Sequence, residues 1–190
     1  MATLEQTSET RDTRERILDA AESVVVERGV AALSLDAAAA AAGVSKGGLL
    51  HHFRSKESLL SALVERMTAE MRAGFDAFVA AEPEGPGRHT RACIAWALHP
   101  TPERRAQDLR LAAALLSAHA HDPGLIEPVR REHARIRAAI ADDGLPAGHA
   151  HAVLAAADGI FLAKVFGLWT PDDALARAME TALRRLAQLC

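Results

Sequence analysis

At 190 residues with 49% apolar content, the chain carries enough nonpolar surface for one ordinary domain or a small domain fused to a larger one, which excludes a disordered class. Its formal net charge is -3, so a positive surface has to be local. There is no run of about eighteen apolar residues, and the opening MATLEQTSETRD lacks the basic and apolar regions of a signal peptide, so neither membrane span nor export is expected and the cytoplasm is the expected location. Cys93 and Cys190 are isolated and make no ligand motif; Cys93 reads as a small core residue. No nucleophile motif, phosphate loop or pair of catalytic carboxylates is present, so neither an enzyme nor a cofactor is expected.

Residues 1–10 are polar and aperiodic and are expected as a disordered tail. From Thr13 the pattern is helical: Ile17, Leu18, Ala21, Val24 and Val25 share one face, Arg14, Glu15, Asp19, Glu22 and Arg28 fall largely on the other, and Gly29 closes the helix. Val24-Val25-Val26 resembles a strand nucleus, but no partner strand follows. Ser34 is an N-cap for a short helix with Asp36 in its first turn and alanines from Ala37 to Ala42. Gly43 stops it, Val44 packs across the turn, and Ser45 caps a second helix, Lys46 to His52. Two helices joined by a tight turn with glycine make a helix-turn-helix. The second is too short to stand alone and opens on Gly47 and Gly48, each costing about 1 kcal/mol relative to alanine in a helix interior. Glycines there admit a close backbone or phosphate, and free N–H groups favour an anion. Lys46, His51, His52, Arg54 and Lys56 gather nearby, with no acid between Ala37 and Lys56.

Ser55 caps a long helix over 55–80 with Leu59, Leu60, Leu63, Val64, Met67, Met71, Phe75 and Phe78 on its apolar side, placed to act as a lever. EPEGPG, residues 82–87, is a loop. Helices are predicted over 88–98, from Thr101-Pro102 to His119, over 124–142, over 149–168 and over 172–189, giving about nine in an all-α chain. Met67, Met71, Phe75, Phe78, Trp96, Leu111, Leu115 and His119 are candidate walls for an apolar or amphipathic ligand, although residues of these types are more often simply core. In the last two helices Ala155, Ala156 and Gly159 permit close approach, and Leu175, Met179, Leu183 and Leu186 form a stripe. The pairs His119/His121 and His149/His151 raise an alternative, a His-rich metal-binding protein or enzyme. Residues two apart on a helix point about 200° away from each other, so no metal site is expected.

Ser34 with the alanines, then AGVSKG, then HHF and R-S-K-E, resembles the N-terminal DNA-binding domain of the TetR family of bacterial transcriptional regulators, over about Arg14 to Met67. The resemblance implies a DNA-binding domain at 11–55 and a helical body for ligand binding and dimerisation at 56–190. It further implies a homodimeric repressor of double-stranded DNA, released from a palindromic operator by a small-molecule effector. Base reading would fall to Ser45, Lys46, Gly47 and Gly48 with His51, and phosphate positioning to Ser34, His52, Lys56 and Arg14. The terminal helices, with Ala155, Ala156, Gly159, Leu175, Met179, Leu183 and Leu186, would form a four-helix bundle with a second subunit. Where the family commonly has an aromatic pair this chain has Leu50 and His51, and Ala38 replaces a large aliphatic residue. The first change removes a phosphate hydrogen bond and leaves His51 and His52 to compensate.

Overall fold

A computed structural model describes residues 2–99, 109, 112, 113, 119 and 122–187, with side chains from Asp12 onward. The predicted helix from Thr101 to His119 falls for the most part outside the described residues. Among those described, the elements are α1 (Ala2–Arg28), a 3-10 turn (Val30–Ala32), α2 (Leu35–Ala42), α3 (Lys46–His52), α4 (Lys56–Ala81), α5 (Arg88–Leu98), α6 (Glu127–Ala141), α7 (Ala147–Val165) and α8 (Asp173–Leu186). The chain is all-α, as expected, and no helix among the described residues is long and apolar enough to cross a membrane. The described residues form two compact units: those up to Met67 with those of Arg110–Ile126, and those of Thr68–Leu109 with those from Glu127 onward. The passage between them falls inside α4, whose first turns carry Leu59, Leu60, Leu63 and Val64, buried in the first unit.

In the first unit, local chemistry sets the helix ends. Ser34 Oγ accepts from the Ala37 N–H at 3.1 Å and opens α2. Gly43 closes it in the left-handed conformation at φ 65°, donating to the Ala40 carbonyl while Val44 donates to that of Ala39, which is a Schellman motif. Ser55 and Ser58 bond each other's backbone N–H reciprocally and start α4. The apolar face of α1 supplies Ile17, Leu18, Ala21, Val24 and Val25 to the core. Arg16 donates to the Ala42 carbonyl at the end of α2, and Arg66 of α4 grips Asp19 and Glu22 of α1 at 2.6 Å each. α1 starts at Ala2, so residues 2–10, expected as a tail, continue the helix. That stretch has no apolar repeat, but it has no glycine or proline either, and nothing in it stops the helix extending backwards.

In the second unit, Phe75, Cys93, Ile136, Ile140 and Leu154 form a buried cluster against which Phe78 and Trp96 pack, with the Phe75 and Trp96 rings edge to face at 5.6 Å. Burial, then the charge of Asp158, pushes the Cys93 thiol up to about 12, so it stays protonated and unreactive. A second cluster joins Ile94, Leu98, Val153, Ile160 and Ala176. The start of α5 has no side chain at Gly87 to cap it; buried Asp143 does so instead, accepting from the N–H groups of His89 and Thr90 at 3.1 and 2.7 Å. Gly87 itself has φ 79°, and a Cβ there would come within 3.1 Å of the Ala187 carbonyl, so the position requires glycine. α7 ends at Val165 rather than 168: Gly167, at φ 63°, donates to Lys164 and Leu168 donates to Ala163, a second Schellman closure.

Glu132, with no exposed side-chain surface, is held between Arg72 and Arg135, and Arg135 also reaches Asp76. Burial works to raise the Glu132 pKa, but hydrogen bonds from Arg135 and Arg72 outweigh it and leave it lowered. Glu82 and Glu180 are lowered too, each first by a hydrogen bond from Arg184. A carboxylate whose folded pKa lies below its ordinary 4.5 contributes stability above that value and loses it as pH falls through the folded pKa. The thermal midpoint is therefore expected to drop as pH is lowered below about 4.5, and less steeply in Glu132→Gln. Glu132→Ala at neutral pH should cost about 2 kcal/mol in denaturant unfolding, less than a fully buried pair because both arginines still reach water.

Candidate nucleic-acid interface

α3 is pinned from one side only. Leu49 is fully buried, Phe53 is buried at the helix end and donates its N–H to the Leu49 carbonyl at 2.8 Å, and Ser45 Oγ accepts from the Gly48 N–H at 3.0 Å at the start. Lys46, Gly47, Leu50 and His51 are exposed, while Gly48 and His52 are half-buried. At about 100° per residue these four exposed positions occupy an arc of about 140° in the order Lys46, Leu50, Gly47, His51. Leu50 and His51 thus face outward rather than packing against α1.

The expected DNA-contact residues divide by what already holds them. Ser34 and Ser45 are helix caps. Lys56 is half-buried and donates to the Val30 carbonyl at 2.9 Å, so it braces the 3-10 turn. Arg14 lies over the Phe53 ring, 5.4 Å from its centre, and also meets Glu15. The His51 and His52 rings are 5.3 Å apart. Burial, then the nearby charges of His51 and Arg14, holds the His52 pKa below its ordinary 6.5, so near neutral pH it is an uncharged donor and acceptor. Lys46 is exposed and ion-paired: Asp36, one residue outside the acid-free window, closes on it with Nζ at 2.9 Å. The sequence signal was the acid in the first turn of α2, which the helix-turn-helix folds towards the start of α3.

Gly47 and Gly48 show no positive φ. A Cβ on Gly47 would meet only Ser45 Oγ at 4.0 Å, and one on Gly48 would press on the same oxygen at 3.3 Å. Nothing in the chain itself explains glycine at 47.

The candidate pocket residues fall in different places. Phe75, Phe78 and Trp96 come together, but as the close-packed cluster described above. Met67 and Met71 are half-buried, one in each unit, His119 is half-buried, and Leu111 and Leu115 lie outside the described residues. Of the candidate interface residues, Ala155, Gly159 and Leu175 are exposed and Ala156 is half-buried. Met179, Leu183 and Leu186 turn inward onto the second cluster of their own chain. The outward stripe of α7 is instead Ala155, Gly159, Leu162 and Phe166, with Phe161, Leu168 and Trp169 also exposed beside it. Among the described residues no group of three or more His, Cys, Asp or Glu is placed to hold a metal ion. His151 lies 2.8 Å from the Ala147 carbonyl, and His121 lies outside the described residues.

The fold and this face define a helix-turn-helix protein with a separate helical body. Residues 17–63 match the family "Bacterial regulatory proteins, tetR family", and residues 87–188 match "Tetracyclin repressor-like, C-terminal domain". The chain belongs to the TetR family of transcriptional regulators, which are DNA-binding proteins and not enzymes. It is 39% identical over 69 residues to the HTH-type transcriptional regulator UidR of Escherichia coli, a match that covers 34% of this chain and 35% of that protein. The chain thus spans about a third of the length of the curated relative it matches. A TetR-family member from Streptomyces coelicolor is 30% identical with a TM-score of 0.66, covering 90% of this chain and 97% of that one. The multidrug-binding protein EbrR, seen in complex with malachite green, is 27% identical with a TM-score of 0.66, covering 92% and 97%.

Because the fold does not require glycine at 47, Gly47→Ala should raise unfolding stability, by up to about 1 kcal/mol. Gly48→Ala should gain less or lose, since its Cβ crowds the Ser45 cap. Denaturant midpoints of the two variants against the wild type test both.

Proposed function

We propose that this chain is a cytoplasmic, homodimeric, sequence-specific transcriptional repressor that a small apolar or amphipathic effector releases from an inverted-repeat operator. The observation that carries the reading is the outer face of α3: Lys46, Gly47, Leu50 and His51 are exposed together on a helix whose other side is fully committed to the core. A helix presented this way suits the major groove, with His52 and Arg14 near its end within reach of the phosphates.

The apolar stripe of α7 with Leu175 of α8 supports a second subunit as the covering partner, since the large side chains Phe161, Leu162, Phe166, Leu168 and Trp169 are all exposed in one chain. Two-fold symmetry then sets two recognition helices about 34 Å apart, one DNA turn. The likeness to EbrR supports a hydrophobic effector in the helical body. Release needs only a few kcal/mol of preference between the two conformations for occupancy to fall about a hundredfold, and operator DNA must weaken effector binding by the same factor.

Duplex DNA binding should weaken steeply with salt. Lys46→Ala should lower affinity by at least about 1 kcal/mol per dimer, whereas Asp36→Asn, which frees the same ammonium, should raise it. Gly47→Ala should weaken binding although it strengthens the fold. Binding indifferent to salt, or Asp36→Asn weakening it as Lys46→Ala does, would count against the reading.

The dimer is tested separately. Leu162→Glu with Phe166→Glu is expected to shift sedimentation from dimer to monomer with helix content intact; an unchanged wild-type monomer would remove the bundle.

A further inference from the structure

Leu50 is the one exposed large hydrophobic side chain of the first unit among the described residues; the others lie at the end of α7, in the turn after it and at the start of α8. At 39% exposed it is partly covered by its own unit and partly open to a partner, while α3 reaches the core through Leu49 and Phe53. Its neighbours on the exposed arc are Lys46 on one side and Gly47 on the other. Gly47 has no side chain, and beyond its chain neighbours and the helix backbone only Ser45 Oγ comes within 4 Å of where its Cβ would stand, so the side-chain layer has a gap beside the leucine. The face therefore offers an apolar knob, a gap next to it, and polar groups at the rims in Lys46 and His51.

The major-groove edges of guanine, adenine and cytosine present hydrogen-bonding groups that a leucine would desolvate without replacing. Thymine alone adds an apolar group there, the 5-methyl, set beside an acceptor oxygen. We propose that Leu50 is a specificity-determining residue that reads the 5-methyl group of a thymine in each half-site. It does so both by burying that methyl and by penalising a base that places a bare polar edge against it. The same contact disfavours RNA, whose uracil lacks the methyl and whose A-form major groove is too narrow for a helix. This inference rests on the regulator reading above.

The test uses the full chain. Selection from a randomised duplex library gives the preferred site, and each thymine in it is then replaced in turn by deoxyuridine, which keeps every hydrogen-bonding group and removes only the methyl. For the wild type, one thymine in each half-site is expected to respond. Affinity should fall about fourfold for one half-site and on the order of fifteenfold for both, the effect of leaving one methyl-sized group unburied at each. In Leu50→Ala the same replacement should change affinity by less than about twofold; its melting curve without DNA reports separately what the covered part of the side chain contributes to the fold. Leu50→Gln should move the selected base at that position from thymine towards adenine, which a glutamine can bond at two points. The inference is overturned if no deoxyuridine replacement affects the wild type, or if Leu50→Ala keeps the full sensitivity. If the wild type selects no preferred sequence even at low salt, the regulator reading itself falls, and this inference with it. The first two results leave that reading standing.

Discussion

A helix of seven residues cannot hold itself together in water, since one turn must be nucleated before any bond is gained and too few follow to repay it. α3 exists because Leu49 and Phe53 are taken into a core and Ser45 caps its start. The rest of the first unit answers to that requirement. α1 supplies the apolar floor, α2 with its Schellman closure sets the entry to α3, and the first turns of α4 add Leu59, Leu60 and Leu63. One consequence is functional: a helix stabilised entirely from one side has no structural duty on the other, so its outer arc is free to carry residues chosen for a partner. Gly47, a poor helix former, and the partly exposed Leu50 sit on that arc.

Charge is distributed on a similar logic. Arg66 with Asp19 and Glu22, Arg72 and Arg135 with Glu132, and Arg91 and Arg184 with Glu82 are clamps between elements within one unit or the other. Each has at least one largely buried partner, where removing one side leaves the other poorly solvated. Lys46 and Asp36 are different: both side chains are mostly exposed, so the pair contributes at most about 1 kcal/mol and exchanges readily with solvent or with another anion. The lowered pKa of His52 belongs to the same local field, since burial, His51 and Arg14 all oppose its protonation until an anion approaches.

The sequence is most legible where structure is made by neighbours along the chain. Ser34, Ser45, Ser55, Gly43 and Asp172 act at helix ends as their residue types and positions suggest, because capping needs only two or three residues. The helix-turn-helix was legible for that reason. What was not legible depends on contacts between distant residues. Asp143 caps α5 from 53 residues away, Asp36 reaches Lys46 across the turn, and Arg66 finds α1; none of these leaves a periodic mark. The stripe Leu175, Met179, Leu183 and Leu186 was visible as a stripe, but periodicity does not say which body a stripe faces. Here Met179, Leu183 and Leu186 face their own chain, and the uncovered apolar surface is that of α7, continuing past its end at Val165. Gly167 was hidden inside an apolar run that reads as helix on either side of it.

A formal charge of -3 sits oddly with a partner as anionic as DNA until range is considered. At physiological ionic strength, interactions fade over about 8 Å, so a phosphate at α3 would feel chiefly the groups around that helix and not the net charge of the chain. Around that helix stand Lys46, His51, His52 and Arg14, with two carboxylates opposing them, Asp36 on Lys46 and Glu15 on Arg14. An acid at this position is useful in the first turn of α2, where it favours the helix dipole. It also shortens the reach of Lys46 towards any phosphate and keeps sequence-independent attraction low. Under the function proposed above, affinity withheld from the backbone would have to come from the base edges, towards which the exposed arc of α3 offers Leu50 and His51 beside Lys46. A regulator built this way would give up tight general binding in return for a larger ratio between its own site and all others, and that ratio, more than bare affinity, decides occupancy on a genome.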